Sequence, residues 1–389
     1  MMNKRANQSL KAVIETLDGR SDTFPFFFNT AVTTRFKGKN ASRQKGWRNN
    51  MPCSVVVCGF FGDTGKGKII AYLSLKDKIS IVARAGVGPN AGHTVVHEGK
   101  EYRMRMLPSA FIYDKCRLLI GPGVLVNPEI LLEEIRLTDS QNRVGVDNQC
   151  AIIESRHIEA DKKGYLAEKI GTTGTGTGPC NAERALRAVK VARDMPQLKE
   201  LLTDVPLEVN TALDRGRNVL IEGTQGTYLS LYHGTYPFCT SKDVTASAAC
   251  SDVGVGPTKV DEVILVFKAY TTRVGEGPLP GKLSWEEAEK RGWAEISTVT
   301  RRRRRAAPFN IELAKRAVML NGATQAAITK IDVLFPECKG VKSYDELSKK
   351  AKTFIENVEK EIRVPVTLIG TGADTWEIVD RRPIKSKQK

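Results

Sequence analysis

Gly59-Phe60-Phe61-Gly62-Asp63-Thr64-Gly65-Lys66-Gly67-Lys68 is the stretch around which the chain is organised. Before it lies an apolar run, Ser54-Val55-Val56-Val57-Cys58, that reads as a buried strand. After it, Ile69-Ile70-Ala71-Tyr72-Leu73-Ser74-Leu75 has the apolar spacing of a helix. Strand, glycine-rich turn, lysine and helix form the arrangement that cradles phosphate. The glycines let backbone N–H groups approach an anion, and the helix N-terminus adds a favourable dipole. The standard P-loop pattern is not met, because Gly67-Lys68 is followed by Ile69 rather than Ser or Thr. Asp63 is an acid placed inside the loop. Beside phosphate, a carboxylate makes sense as a metal ligand or as a base. An ordinary tight turn between strand and helix is the plainer reading of the same residues.

Outward from this stretch, strand-like and helical runs alternate. Candidate strands are 54–58, 79–84, 117–120, 150–154, 218–222, 262–268, 326–334 and 365–369. Candidate helices include 128–137, 183–193, 197–204, 207–215, 285–291, 310–320 and 344–362. The alternation predicts an α/β fold: a largely parallel central sheet flanked by helices, with a P-loop-like nucleotide-binding architecture. Ligands of such sheets bind beyond the carboxyl ends of the strands.

At 389 residues the chain can bury a large core, and 41% hydrophobic with 27% charged residues is the composition of a soluble globular protein. No apolar run approaches the length of about 18 residues that a membrane span requires. The formal net charge is +16, unevenly spread. Residues 1–50 hold ten Lys/Arg against three Asp/Glu and read as a basic, disordered extension ahead of Met51. They lack the apolar core of a secretory signal, and Glu15, Asp18 and Asp22 count against a transit peptide. Residues 51–383 read as the working domain and 384–389 as a basic tail. The eight cysteines include no Cys-x-x-Cys pair, which argues against zinc and thiol-redox chemistry and suits the reducing cytoplasm.

Five further stretches lie after apolar runs or break the pattern. Arg84-Ala85-Gly86-Val87-Gly88-Pro89-Asn90-Ala91-Gly92-His93-Thr94 offers a histidine in a glycine-rich loop, as a general acid, a phosphate contact or a structural residue. Lys169-Ile170-Gly171-Thr172-Thr173-Gly174-Thr175-Gly176-Thr177-Gly178-Pro179 reads as a second phosphate loop or a flexible linker, with Arg184 and Arg187 on the helix expected after it. Ile221-Glu222-Gly223-Thr224-Gln225-Gly226-Thr227 ends a strand in a polar loop and is followed by His233-Gly234-Thr235-Tyr236-Pro237. Thr298-Val299-Thr300-Arg301-Arg302-Arg303-Arg304-Arg305 matches carboxylates and phosphates through guanidinium forks. An anionic small substrate is favoured there over nucleic acid, since no aromatic-rich platform accompanies it. Finally, Thr329-Lys330-Ile331-Asp332 ends an apolar run. An aspartate there can accept two hydrogen bonds from guanine, and the lysine stem can lie along the base.

Together these stretches resemble the adenylosuccinate synthetase family in its shorter archaeal-type form, over roughly 52–383. Their joint order carries the likeness, with Thr272-Arg273-Val274-Gly275 and Gly370-Thr371-Gly372 completing it. The resemblance implies a single α/β domain and a ligase that joins L-aspartate to IMP with GTP and Mg²⁺, giving adenylosuccinate, GDP and phosphate. It implies Asp63 as the base and a magnesium ligand with Gly92, and His93 as the acid. For GTP it points to Gly62, Asp63, Thr64, Gly65, Lys66, Gly67, Lys68, Gly92, His93, Thr94, Arg304, Lys330, Ile331, Asp332, Gly370, Thr371 and Gly372. For IMP it points to Asp63, Lys66, Asn90, Ala91, Gly92, His93, Thr173, Gln225, Thr240 and Arg302, with Arg187 reaching across a homodimer. For aspartate it points to Thr298, Val299, Thr300, Arg301, Arg302, Arg303 and Arg304. Three positions depart from the family pattern: Thr64 where it has Glu, Arg301 where it has Gly, and Ala307-Pro308 where it usually has Gly-Trp. A similar phage-type relative takes dGMP in place of IMP and typically lacks the aspartate matched by Asp63. The alternatives are therefore a dGMP-using synthetase, or a nucleotide- or nucleic-acid-binding protein impaired in catalysis.

Overall fold

The computed structural model of the chain describes residues 52–297 and 302–383. The basic extension 1–50, the tail 384–389, and Thr298, Val299, Thr300 and Arg301 lie outside the described residues.

Ten strands build the central sheet: β1 (Cys53–Cys58), β2 (Ile81–Arg84), β3 (Arg117–Ile120), β4 (Val144–Asp147), β5 (Leu202–Thr203), β6 (Val219–Glu222), β7 (Glu262–Lys268), β8 (Gln325–Thr329), β9 (Val366–Gly370) and β10 (Ile378–Asp380). Their order is β10-β9-β8-β7-β1-β6-β2-β3-β4-β5. Every pairing is parallel except that of β9 with β10. The α/β expectation therefore holds.

Helices cover both faces, which is why the strands read as continuous apolar runs rather than alternating ones. The side chains still alternate. Cys53, Val55 and Val57 of β1 join the core on one face, and Val56 joins the core on the other. β1 lies between β7 and β6, so its carboxyl end opens where the chain order reverses, and a ligand crevice belongs there.

Several element boundaries differ from the expectations, each for a local reason. The run 326–334 is not one strand. β8 stops at Thr329, Lys330 takes φ 63°, and Ile331–Leu334 forms a helical turn. Asp332 therefore stands on a helical turn rather than on a strand. The helix expected over 183–193 is Thr177–Ala185, with Gly176 left-handed at its N-cap. Arg187, at φ 60°, lies beyond its end. The helix expected over 344–362 begins only at Lys349, where the Ser348 side chain accepts the Ala351 N–H. The arginine run, absent from the candidate strands, contributes a strand, Arg303–Pro308. It pairs antiparallel with Tyr270–Arg273 on one side and Glu295–Ile296 on the other.

Candidate active site

The loops after β1, β2, β6 and β8 meet around a cavity of ≈ 710 Å³. The loop after β1 leads into helix α1 (Lys66–Lys76), whose N-cap, Gly65, is left-handed. The first-turn N–H groups of such a helix are an anion site. Close packing holds the loop in place: a Cβ on Gly226 would lie 2.4 Å from Gly62 N. Asp63, Gln225 and Lys330 all take positive φ, at 53°, 49° and 63°. Non-glycine residues adopt that conformation at some cost, and it clusters at functional sites.

Most of the residues singled out from the sequence line this one cavity: Gly62 through Lys68, Asn90 through Thr94, Thr173, Gln225, Thr240, Arg302, Arg304, Lys330 and Gly372. Ile331, Asp332, Gly370, Thr371, Arg187 and Arg303 do not line it. Arg303 and Arg304 open a strand in which successive side chains point to opposite faces, and Arg302 precedes it. Arg302 donates to the Gly171 and Thr172 carbonyls at 2.8 and 3.2 Å. Arg304 meets Asp63 at 3.0 Å. Arg303, between them, stacks over the Trp285 ring at 4.5 Å.

Three of the residues matched to IMP form a chain. Gln225 Nε2 donates to Asn90 Oδ1 at 2.9 Å, and Asn90 Nδ2 donates to Thr240 Oγ1 at 3.3 Å. Lys66 Nζ donates to the Gln225 carbonyl at 2.8 Å. Lys68 points elsewhere: its Nζ donates to the carbonyls of Gly372 and Glu377 at 2.6 and 2.7 Å, tying α1 to the loop after β9. Burial brings its pKa down to about 8, against the pull of Glu377 and Asp332.

Two buried ion networks border the cavity, and neither was legible in the sequence. In the first, Glu222 at the end of β6 receives Arg84 Nη1 and His93 Nδ1, both at 2.5 Å, and Ser109 Oγ at 2.9 Å. Burial pushes the Glu222 carboxyl up, but Arg84 and His93 outweigh it and hold it at about 2. Burial, aided by Arg84, brings His93 down to about 4 despite Glu222. The ring is therefore neutral near pH 7, with its Nδ1 proton on Glu222. His93 Nε2 is buried and has no hydrogen-bond partner within the described structure.

In the second network, Glu295 receives Lys268 Nζ at 3.0 and 3.1 Å, the Tyr270 hydroxyl at 2.5 Å, and Arg304 Nη1. Burial opposes the charge on Glu295, yet Lys268 and Arg304 hold its carboxyl at about 2. A lysine closing the apolar β7 was the one signal of this network in the sequence. Arg273 was also missed as a support; it donates to Thr235 Oγ1 and the Phe238 carbonyl and so braces the loop that brings Thr240 to the cavity.

Away from the cavity wall, Arg84 Nε, His97 Nδ1 and Asp332 Oδ1 also lack a partner within the described structure. Of these, Asp332 Oδ1 is a buried acceptor. Such an atom costs free energy until something donates to it. Among the described residues there is no cluster of three or more His, Cys, Asp or Glu able to cage a metal.

A sequence model of the adenylosuccinate synthetase family matches residues 55–195 and 188–339. The adenylosuccinate synthetase of Archaeoglobus fulgidus is 56% identical over 336 residues, covering 86% of this chain and 100% of its own. That of Methanocaldococcus jannaschii is 56% identical over 336 residues, covering 85% and 97%. Among solved structures, fully ligated adenylosuccinate synthetase from Plasmodium falciparum matches with TM-score 0.78 at 26% identity, over 86% of this chain and 100% of that one. The cyanophage S-2L succinoaminodeoxyadenylate synthetase, bound to dGMP and dATP, matches with TM-score 0.72 at 26% identity, over 86% and 97%. The family match extends over more than half of the sequence, and these archaeal relatives align along nearly their whole length. This chain belongs to the adenylosuccinate synthetase family.

Proposed function

We propose that the cavity is where GTP activates IMP for attack by L-aspartate. The chain is a GTP-dependent ligase giving adenylosuccinate, GDP and phosphate. The convergence of Asp63, His93, Asn90 and Gln225 on one cavity carries the reading. Asp63 takes the N1 proton of IMP, so that the 6-oxygen attacks the γ-phosphate and GDP leaves. The aspartate amine then displaces the 6-phosphoryl group as phosphate. Both steps build charge, and preorganised donors stabilise it.

The unpaired His93 Nε2 has the geometry of a phosphate contact. In the ligand-free site the ring is neutral. A polyphosphate against Nε2 opposes the field of Arg84 and favours the imidazolium, which then steadies departing GDP. Glu222 keeps the ring oriented through Nδ1. The unpaired Asp332 oxygen supports guanine recognition, since guanine N1–H and its amino group are donors that adenine lacks.

Mg²⁺ binds typically through one or two carboxylates plus substrate phosphates rather than in an all-protein cage. Asp63 and Gly92 on one wall, with no carboxylate cluster among the described residues, fit that habit. When bound, the ion neutralises phosphate charge. Arg302 and Arg304 grip the anionic substrates. Arg187 is exposed and off its own chain's cavity wall, as a residue serving a partner's site in a homodimer would be. No helix among the described residues is long and apolar enough to cross a membrane, and we place the enzyme in the cytoplasm.

The test is phosphate release and adenylosuccinate formation by the purified chain with IMP, L-aspartate, GTP and Mg²⁺, run in parallel with dGMP. Retained Asp63 and the archaeal relatives favour IMP. Product from dGMP alone would transfer the chain to the activity of the phage enzyme. No product from either would leave a binding protein.

A further inference from the structure

We propose that Glu295 is a positioning residue of the reaction: it holds the Arg304 guanidinium so that the other edge of that group fixes Asp63. The inference rests on the functional reading above. Glu295 stands directly opposite Arg304 in the antiparallel pair of Glu295–Ile296 with Arg303–Pro308, so the backbone register sets their approach. Arg304 directs Nη1 to Glu295 and Nη2 to Asp63 Oδ1, the latter at 3.0 Å. Its Nε is buried with no partner within the described structure, so these two carboxylates orient the planar group. One Asp63 oxygen is thereby anchored, and the other is left for ligand.

Glu295 is in turn fixed from behind. Lys268, 1% exposed at the end of β7, reaches both of its oxygens, and the Tyr270 hydroxyl reaches Oε1. Lys268 Nζ is itself located by Thr272 Oγ1 at 2.6 Å, and the Tyr270 ring stacks on Trp293 at 4.9 Å. The order therefore runs from the rigid central sheet, through Lys268, Glu295 and Arg304, to the carboxylate in the phosphate loop. Position 64 makes this matter here. The residue beside Asp63 is Thr64, whose buried hydroxyl has no hydrogen-bond partner within the described structure and carries no charge. The second acid of this corner is Glu295, which reaches Asp63 only through Arg304.

The experiment compares Glu295→Gln and Lys268→Met/Glu295→Gln with the unmodified chain, reading kcat, the KM for each substrate, and Tm. The double variant removes the buried cation together with its counter-ion, so it separates folding from positioning. The expected result is a double variant within a few degrees of the parent Tm whose kcat has fallen at least tenfold, with the KM of IMP changed less than threefold. A double variant with parental Tm and parental kcat overturns the proposal, because Glu295 would then be only the counter-ion of Lys268. Failure of both variants to fold also overturns it, since the role would be structural. If the unmodified chain forms no product, the functional reading fails first. A crystal structure of the double variant then decides: a guanidinium displaced from Asp63 supports the proposal, and one left at about 3 Å overturns it.

Discussion

The two buried networks bordering the cavity share a plan but end differently. In one, Arg84 and Glu222 lead to His93; in the other, Lys268 and Glu295 lead to Arg304 and Asp63. Each has a carboxylate that touches both a buried cation and the group facing the cavity, and in the first Arg84 Nη1 also lies 2.9 Å from His93 Nδ1. The first ends on a ring that burial holds neutral and that, in the proposed reaction, the arriving polyphosphate charges. The second ends on an arginine that stays charged at every working pH and a carboxylate paired to it. One edge of the site is thus adjustable by the ligand, and the other is fixed in advance. Phosphoryl transfer needs both: a preset geometry for the nucleophile, and a response to the charge that builds on the leaving group.

The sharpest way to break this comparison is at the fixed end. Asp63→Asn keeps the shape of the side chain but removes the proposed base, and kcat should fall about 10²–10⁴-fold. GTP and IMP binding, followed by calorimetry, should change little. An active Asp63→Asn enzyme would put the base elsewhere. At the adjustable end, Glu222→Gln leaves Arg84, which is wholly buried, without its carboxylate. Breaking one partner of a buried pair costs about 3–5 kcal/mol, to be read as a lower urea midpoint at constant slope. A loss under about 1 kcal/mol, within the range of an exposed pair, would mean that Arg84 finds another partner.

Asp332 belongs to neither network and tests whether base recognition is separate from both. Asp332→Asn should reduce the preference of kcat/KM for GTP over ATP by about 10–100-fold, a fraction of what a site built on substrate donors can reach. An unchanged ranking of GTP, ATP and XTP would remove Asp332 from that role.

A further effect concerns pH. The His93 pKa is about 4 in the folded, ligand-free chain and ordinarily near 6.5. Between these values the unfolded chain holds a proton that the folded chain lacks. Protons therefore favour unfolding, and stability should fall as pH drops from about 6.5 towards 4, by up to about 1.4 kcal/mol per pH unit. His93→Asn should flatten the urea-derived stability profile in that window. Below about 4.5, protonation of the unfolded chain's counterpart of Glu222 adds a further loss. A parental slope in His93→Asn would show that another group titrates there.

The loops that build the cavity were visible in the sequence because their signals are local. Apolar runs mark the parallel strands, and glycine with polar residues marks the loop after each strand. Asp63, Asn90, His93 and Gln225 stand in such stretches, whereas Thr240 enters only through the family resemblance. Other features depend on partners far along the chain. Lys330 reads as part of a strand until its φ of 63° shows that the strand has ended. Five consecutive arginines look alike until Arg303, Arg304 and Arg305 enter a strand that pairs with Glu295–Ile296 and Tyr270–Arg273, where Arg303 turns to Trp285, away from the cavity. Lys68 reads as a phosphate ligand from its motif, whereas its ammonium donates to the carbonyls of Gly372 and Glu377, 304 and 309 residues away.

By itself the sequence determined the parallel α/β sheet and the glycine-rich turn after its first strand, because hydrophobic period and glycine spacing act over a few residues, and the joint order of its motifs carried the family resemblance. Only the tertiary structure decided which charges are buried together. Glu222 lies 138 residues from Arg84, and Lys268 lies 27 from Glu295. The charge state of His93 and the hold on Asp63 result from that proximity, since desolvation and Coulomb forces depend on distance in space and not on distance along the chain.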